Sequence, residues 1–134
     1  MTDQNFARRL RELLAHKAEA NITGEDLALL KFGRHFRLSD AVKVIVGRHE
    51  VDNTMLAAYT AGRWYGEVRD YQGPLVLIDG KPTDEQWEWI AQIAVSYTKG
   101  KYASQVTVDF VCGDTQQVLT IIPDEQFHVD EWRV

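Results

Sequence analysis

Apolar residues recur every three or four positions at the start of the chain: Phe6, Leu10, Leu13 and Leu14, with Ala7 and Ala18 nearby. This spacing predicts an amphipathic helix over 3–19, with Thr2 as its N-cap and Arg8, Arg9, Arg11 and Lys17 off the apolar stripe. Thr23 opens a short second helix, Gly24 to Leu30, with Asp26 at the capping-box position, and Gly33 ends it. The period then changes to two. Strands are predicted at 34–38 and 41–46, joined by a turn at Ser39-Asp40. Arg34, Phe36 and Leu38 share one face of the first strand; His35 and Arg37 share the other. In the second, Val42, Val44 and Val46 oppose Lys43 and Ile45. With Phe36 and Val44 turned to the core, His35, Arg37 and Lys43 are expected to face solvent together.

Helical spacing returns at Met55, Leu56 and Tyr59, giving a helix over 54–60 capped by Asn53 and closed by Gly62. Trp64–Val68 and Leu75–Ile78 read as strands, separated by a turn at 71–74. Thr83 opens the clearest helix: Gln86 completes a capping box, and Asp84 and Glu85 sit at the positive end. Trp87, Ile90, Ala91, Ala94 and Val95 form its apolar face, with Trp89 off that face and exposed, and the helix runs to Lys99-Gly100. Strands at 106–111 and 117–122 flank Gly113-Asp114, and Pro123 stops the second. The predicted class is α+β: a mostly antiparallel sheet of about six strands built from hairpins, with about four helices packed on it. One domain is expected over 1–134, comprising a helical lead-in (1–30), an α+β core (31–122) and an acidic tail (123–134) that Phe127, Val129 and Trp132 tack down.

Length and composition agree with a single ordered domain: 134 residues, 45% hydrophobic and 10% aromatic. No apolar run reaches membrane-spanning length. The Met-Thr-Asp-Gln start lacks the pattern of a secretory signal, and the single cysteine, Cys112, forms no internal disulfide. The expected location is a reducing cytoplasm. Charge changes the picture more. The net charge is −5, but residues 1–48 hold 9 Lys/Arg against 6 Asp/Glu, a balance of +3, while the remainder stands at −8. A local cationic patch on an acidic molecule binds phosphates while promiscuous sticking is suppressed.

No motif for a reaction is present. GxxxxGK[ST], GxGxxG, the SGGxDS loop of PP-loop enzymes, HExxH and CxxC are all missing, and Ser39, Ser96 and Ser104 lie in no nucleophile elbow. Cys112, at the end of an apolar strand, reads as a core or edge filler. His35 and His49 lack a third metal ligand at a recognisable spacing. No catalytic residue, metal ligand or cofactor is therefore expected in this chain.

Three segments resemble the C-terminal domain of thiouridylase-like tRNA sulfurtransferases, which is in turn similar to the RNA-binding domain of NFACT proteins. Thr2 to Leu14 resembles a TDP-x-F-x-RRL-x-x-LL helix. Leu30-Lys31-Phe32-Gly33-Arg34-His35-Phe36-Arg37-Leu38, with Lys43-Val44-Ile45-Val46-Gly47-Arg48 and Asn53, resembles LK-x-GRHFRL…K-x-IVGR-x-x-x-x-N and is the specific segment. Gly73-Pro74-Leu75 to Gly80, with Ser96-Tyr97, resembles a GP-strand and a Y-S-type helix end. The likeness covers residues 2–110. It implies a noncatalytic domain that binds tRNA or another structured RNA and serves an ATP-binding PP-loop thiolation domain elsewhere. This chain departs from the pattern in lacking that domain and in carrying His49-Glu50-Val51-Asp52 before Asn53.

The resemblance implies RNA contacts at Lys31, Arg34, His35, Arg37, Lys43, Arg48 and Asn53. Arg34, Arg37, Lys43 and Arg48 are the expected phosphate contacts; the alternative is a solvated face, or ion pairs with Glu50 and Asp52. His35 is either a base-stacking residue or a hydrogen-bonded structural histidine. Gly47 is read as a backbone necessity, Asn53 as a helix cap ahead of an RNA contact, and Tyr97 as core packing. The alternative function is a protein–protein module, monomer or homodimer, using the acidic half and Trp89 or Trp132.

Overall fold

The computed structural model describes residues 4–134; the Thr2 cap and residue 3 lie outside the described residues. In chain order the main elements are α1 (Gln4–His16), α2 (Gly24–Leu29), β1 (Arg34–Ser39), β2 (Val42–Val46), α3 (Glu50–Ala57), β3 (Trp64–Val68), β4 (Val76–Asp79), α4 (Asp84–Ser96), β5 (Val106–Cys112) and β6 (Thr115–Ile121). Single 3-10 turns occupy Glu19–Asn21, Lys99–Tyr102 and Val129–Trp132. The six strands form one antiparallel sheet in the order β1-β2-β4-β3-β5-β6, so the α+β class and the antiparallel sheet predicted from the pattern are those observed.

Local chemistry explains the helix starts. The Thr23 and Thr83 side chains accept from the N–H groups of Asp26 and Gln86, whose side chains accept in return from the Thr N–H groups, closing both capping boxes. α3 departs from expectation. It begins at Glu50 with His49 at the N-cap, so Asn53 lies inside the helix and does not cap it. The Asp52 carboxylate accepts from the Arg48 N–H at 3.0 Å, which starts the helix earlier. α4 ends at Ser96, and Lys99-Gly100 belongs to the following 3-10 turn.

Alternation divides the sheet into two unlike faces. Phe36, Val44, Val46, Val76, Ile78, Val108 and Phe110 pack with Trp87, Ile90, Ile93 and Ala94 of α4 in the larger core. The tail closes over this layer. Trp132 stacks on Trp89 at 4.9 Å between centroids and meets Phe127 at 5.6 Å. The Val134 N–H then donates to His35 O at 3.0 Å, and Arg133 bridges to Phe36 on edge strand β1. Trp89 is therefore half-buried under the tail, correcting the expectation of an exposed side chain.

The opposite face is not open along its whole width. Ile45 and Leu77 pack with Leu29 of α2 and Leu56 of α3 in a second apolar cluster. Both faces of β2 are thus covered, and all five of its residues are buried. Arg9, expected off the buried stripe of α1, is itself buried and donates to the carbonyls of Leu30 (2.9 Å) and Gly33 (2.8 Å), tying α1 to the end of α2. Gly33 must be glycine: its φ is +73°, and a Cβ there would stand 2.6 Å from Val46 O. No helix is long and apolar enough to cross a membrane among the described residues.

Candidate nucleic-acid interface

The second helical layer decides where the seven residues singled out above lie. His35, Arg37 and Lys43 share the face predicted, but it is buried rather than wet. His35 is fully buried and its Nε2 donates to Phe32 O at 2.8 Å. Burial first, then the charges of Lys43 and Arg9, pushes its imidazole well below the usual histidine value, so the ring is neutral at pH 7. The Arg37 guanidinium binds both oxygens of Glu12 on α1 and also reaches Asp40 O. Lys43 is 6% exposed. These three do not form the expected outward cationic ribbon, because α1 and α2 cover that end of the sheet with carboxylates and apolar side chains. The structural-histidine alternative describes His35. Lys31 is exposed just beyond α2.

Arg34, Arg48 and Asn53 do come together. They line an open cleft of about 500 Å³ where β1 begins and β2 ends, walled by Gln72, Gly73 and Pro74 before β4 and by Tyr97 after α4. Arg34 lies with its guanidinium carbon 4.5 Å from the Tyr97 ring centroid, a cation–π arrangement, and its Nη1 donates to Gly47 O at 3.3 Å. Burial raises the Tyr97 phenol above its usual value, against the opposing pull of Arg34 and Arg133. Arg48 donates from Nε to Asp52 Oδ2 at 3.0 Å, leaving both terminal nitrogens for a ligand. Burial alone would raise the Asp52 carboxyl; hydrogen bonds from the Arg48 side chain and N–H outweigh it and hold the group below the carboxylate range. His49 and Glu50 complete the rim.

Asn53 is the support of this cleft. Its Oδ1 accepts from the Leu75 N–H at 3.0 Å, tying α3 to the start of β4. A Cβ on Gly47 would fall 1.9 Å from that same oxygen, so the glycine is needed for close approach, the backbone role expected of it. Tyr97 and the Gln72–Pro74 wall were not assigned to the site from sequence. Arg34 and Tyr97 are too far apart in the chain for any local period to link them. The Gly73-Pro74 and Ser96-Tyr97 motifs were the available signal. Among the described residues, no group of three or more His, Cys, Asp or Glu gathers to hold a metal.

Guanidinium donors, an aromatic edge and main-chain walls in an open cleft suit an anionic ligand. Residues 33–133, most of the chain, match the family described as NFACT protein RNA binding domain, and the chain belongs to that family. No curated protein matches it. Among solved structures, the C-terminal part of the fibronectin/fibrinogen-binding protein from Streptococcus suis (FBPS) superposes with a TM-score of 0.65 and 17% identity, over 100% of this chain and 63% of that one. The chain thus spans less than two thirds of that structure, and the likeness is one of fold.

Proposed function

We propose that this chain is a noncatalytic RNA-binding domain that takes the sugar–phosphate backbone of a structured RNA, tRNA first, into the Arg34–Arg48–Tyr97 cleft. The observation that carries this reading is the convergence of two guanidinium groups on one open cleft in a domain of an RNA-binding family. Arg34, steadied by Tyr97, and Arg48, steadied by Asp52, meet phosphate oxygens; the Tyr97 edge and the Gly73-Pro74 wall meet ribose or a splayed base. Shape rather than base identity selects the ligand.

The test is tRNA affinity across a KCl series, with Arg34→Gln and Arg48→Gln singly and together and melting curves as a check on folding. Each lost phosphate contact removes about 0.7–0.9 from the log–log salt slope, so the double variant is expected to flatten the slope by about 1.5 and bind at least tenfold more weakly. A folded double variant with unchanged slope and affinity refutes the cleft as the interface.

On the Leu30–Asn53 motif we further propose that the RNA is presented to an ATP-dependent thiolation domain in the cytoplasm. A second reading, self-association, rests on a different observation. β6 is the sheet's open edge, and residues 115–122 carry no charge. The other edge is covered by the tail. An uncharged edge in a molecule of net charge −5 suits a second copy of itself better than any other acidic surface. Light scattering showing a monomer at all concentrations removes this reading.

A further inference from the structure

The two edges of the sheet differ. The β1 edge is covered by the tail, through the Phe36–Arg133 bridge and the Val134 N–H on His35 O. No strand pairs with the outer side of β6 among the described residues. β6 also lacks the devices that keep sheet edges apart. It runs seven residues, Thr115–Ile121, pairs with β5 without a bulge, and holds no charge and no proline. Val118, on its open face, is 52% exposed, and Ile122, just past its end, is 75% exposed. A long, flat, uncharged edge of this kind is a template for another strand.

The ladder fixes which backbone groups of β6 face outward. The Arg69 N–H donates to Thr107 O at 2.8 Å, so Thr107, Asp109 and Val111 of β5 aim their main-chain groups at β3. The alternate residues, Val106, Val108, Phe110 and Cys112, aim theirs at β6, where they meet Ile121, Leu119, Gln117 and Thr115. Gln116, Val118 and Thr120 therefore turn their N–H and C=O groups away from the sheet. Val118 is the midpoint of the strand. Because β6 has an odd number of residues, full overlap of two antiparallel copies sets outward residue against outward residue. Building on the self-association reading, we propose that a second copy of this chain pairs here, β6 against β6, antiparallel about a two-fold axis at Val118.

In this pairing Val118 faces its twin, and Gln116 of each copy faces Thr120 of the other. Each of these pairs exchanges two N–H···O bonds, so the outward groups of β6 are satisfied. The exposed Val118 side chain gains its twin as a neighbour on the open face. An acidic or basic segment finds no counter-charge along residues 115–122, whereas a second copy brings an equally uncharged strand. With β1 covered, each molecule offers one open edge, so pairing closes at two copies and does not propagate. No β5 or β6 residue lines the Arg34–Arg48 cleft, and both clefts of the pair stay open. The net charge of −5 on each copy repels its twin, so KCl tightens the dimer, the opposite sign to RNA binding.

Two readouts test this. The first is the concentration dependence of mass by sedimentation equilibrium, with and without added KCl. Val118→Pro removes an outward N–H that the ladder to β5 does not use, so the variant is expected to stay monomeric where the wild type dimerises. Should its melting curve show a folding defect, Val118→Lys gives the same readout by setting two ammonium groups opposite each other; Glu19→Lys, the exposed control far along the chain, is expected to leave the dimer intact. The second readout is oxidative cross-linking in a Cys112→Ser background. Val118→Cys sets the two Cα atoms about 5.5 Å apart, within disulfide range. Gln116→Cys sets them about 14 Å apart along the strand. Covalent dimer is expected to form at least about tenfold faster at 118 than at 116. A wild type that is monomeric at every concentration removes self-association altogether. A dimer that persists in folded Val118→Pro and Val118→Lys, or that cross-links as fast at 116 as at 118, refutes this pairing alone.

Discussion

His35 shows what a single side chain decides. Sequence offered two roles for it, and zero exposure beneath α2 selects the structural one. Its value in the folded chain lies well below 6.5, whereas the unfolded chain restores the ordinary value. Below pH 6.5 the unfolded state therefore binds the extra proton, and stability falls as pH is lowered. The slope from this one group approaches about 1.4 kcal/mol per pH unit while the folded ring stays neutral. Denaturant unfolding of wild type and His35→Asn between pH 7 and pH 5 is expected to show the wild type losing stability faster. Equal pH slopes would mean that the buried ring is not held neutral by the fold.

The tail is the element whose role changed most. An acidic run ending in Trp132 and Arg133 reads as a solvated appendage with a few apolar anchors. It crosses α4, seats Trp132 against Trp89, and covers the outer edge of β1. Edge strands with unpaired N–H and C=O groups invite association, and here the chain covers one of its own. Trp132→Ala removes a half-buried stack and is expected to cost about 1–2 kcal/mol. Amide exchange should quicken at Val134, whose N–H is held by His35 O, and in β1. Unaltered exchange there would separate the tail from the edge. α4 needs no such help: its capping box closes locally at Thr83 and Gln86, two positions the sequence identified.

At the scale of the whole molecule, the cations of the first 48 residues serve two purposes. Arg37, Lys17 and Arg9 hold the helical layer to the sheet and to α2; Arg63, from later in the chain, also reaches that layer at Glu25. Arg34 and Arg48 remain at the cleft. Two phosphate contacts give a shallow salt slope, so the RNA proposal calls for moderate affinity whose salt dependence disappears with those two side chains and not with Arg37. The open face of β3, β5 and β6 carries Glu67 and Asp109, with Arg69 paired to Asp109, and repels a polyanion. The RNA proposal accordingly places phosphate contact at one end of the sheet.

The sequence by itself determined the elements, their order and the hairpin connections. Capping boxes, three-to-four and two-residue periods, and glycine stops act between residues within four positions of each other. It also marked Arg34, Arg37, Lys43 and Arg48 as one cationic group, because β1 and β2 are joined by a tight turn; only Arg34 and Arg48 of these reach the cleft. Tertiary structure decided which face of that hairpin is wet. A period of two separates the faces of a strand but does not say what lies on each, and here α1 and α2 return to cover the one carrying His35, Arg37 and Lys43. It decided too that Asn53 ties α3 to the Leu75 backbone instead of capping, and that Tyr97 lies against Arg34. Those pairings join segments distant in the chain, where contact depends on the packing of layers and leaves no local period to read.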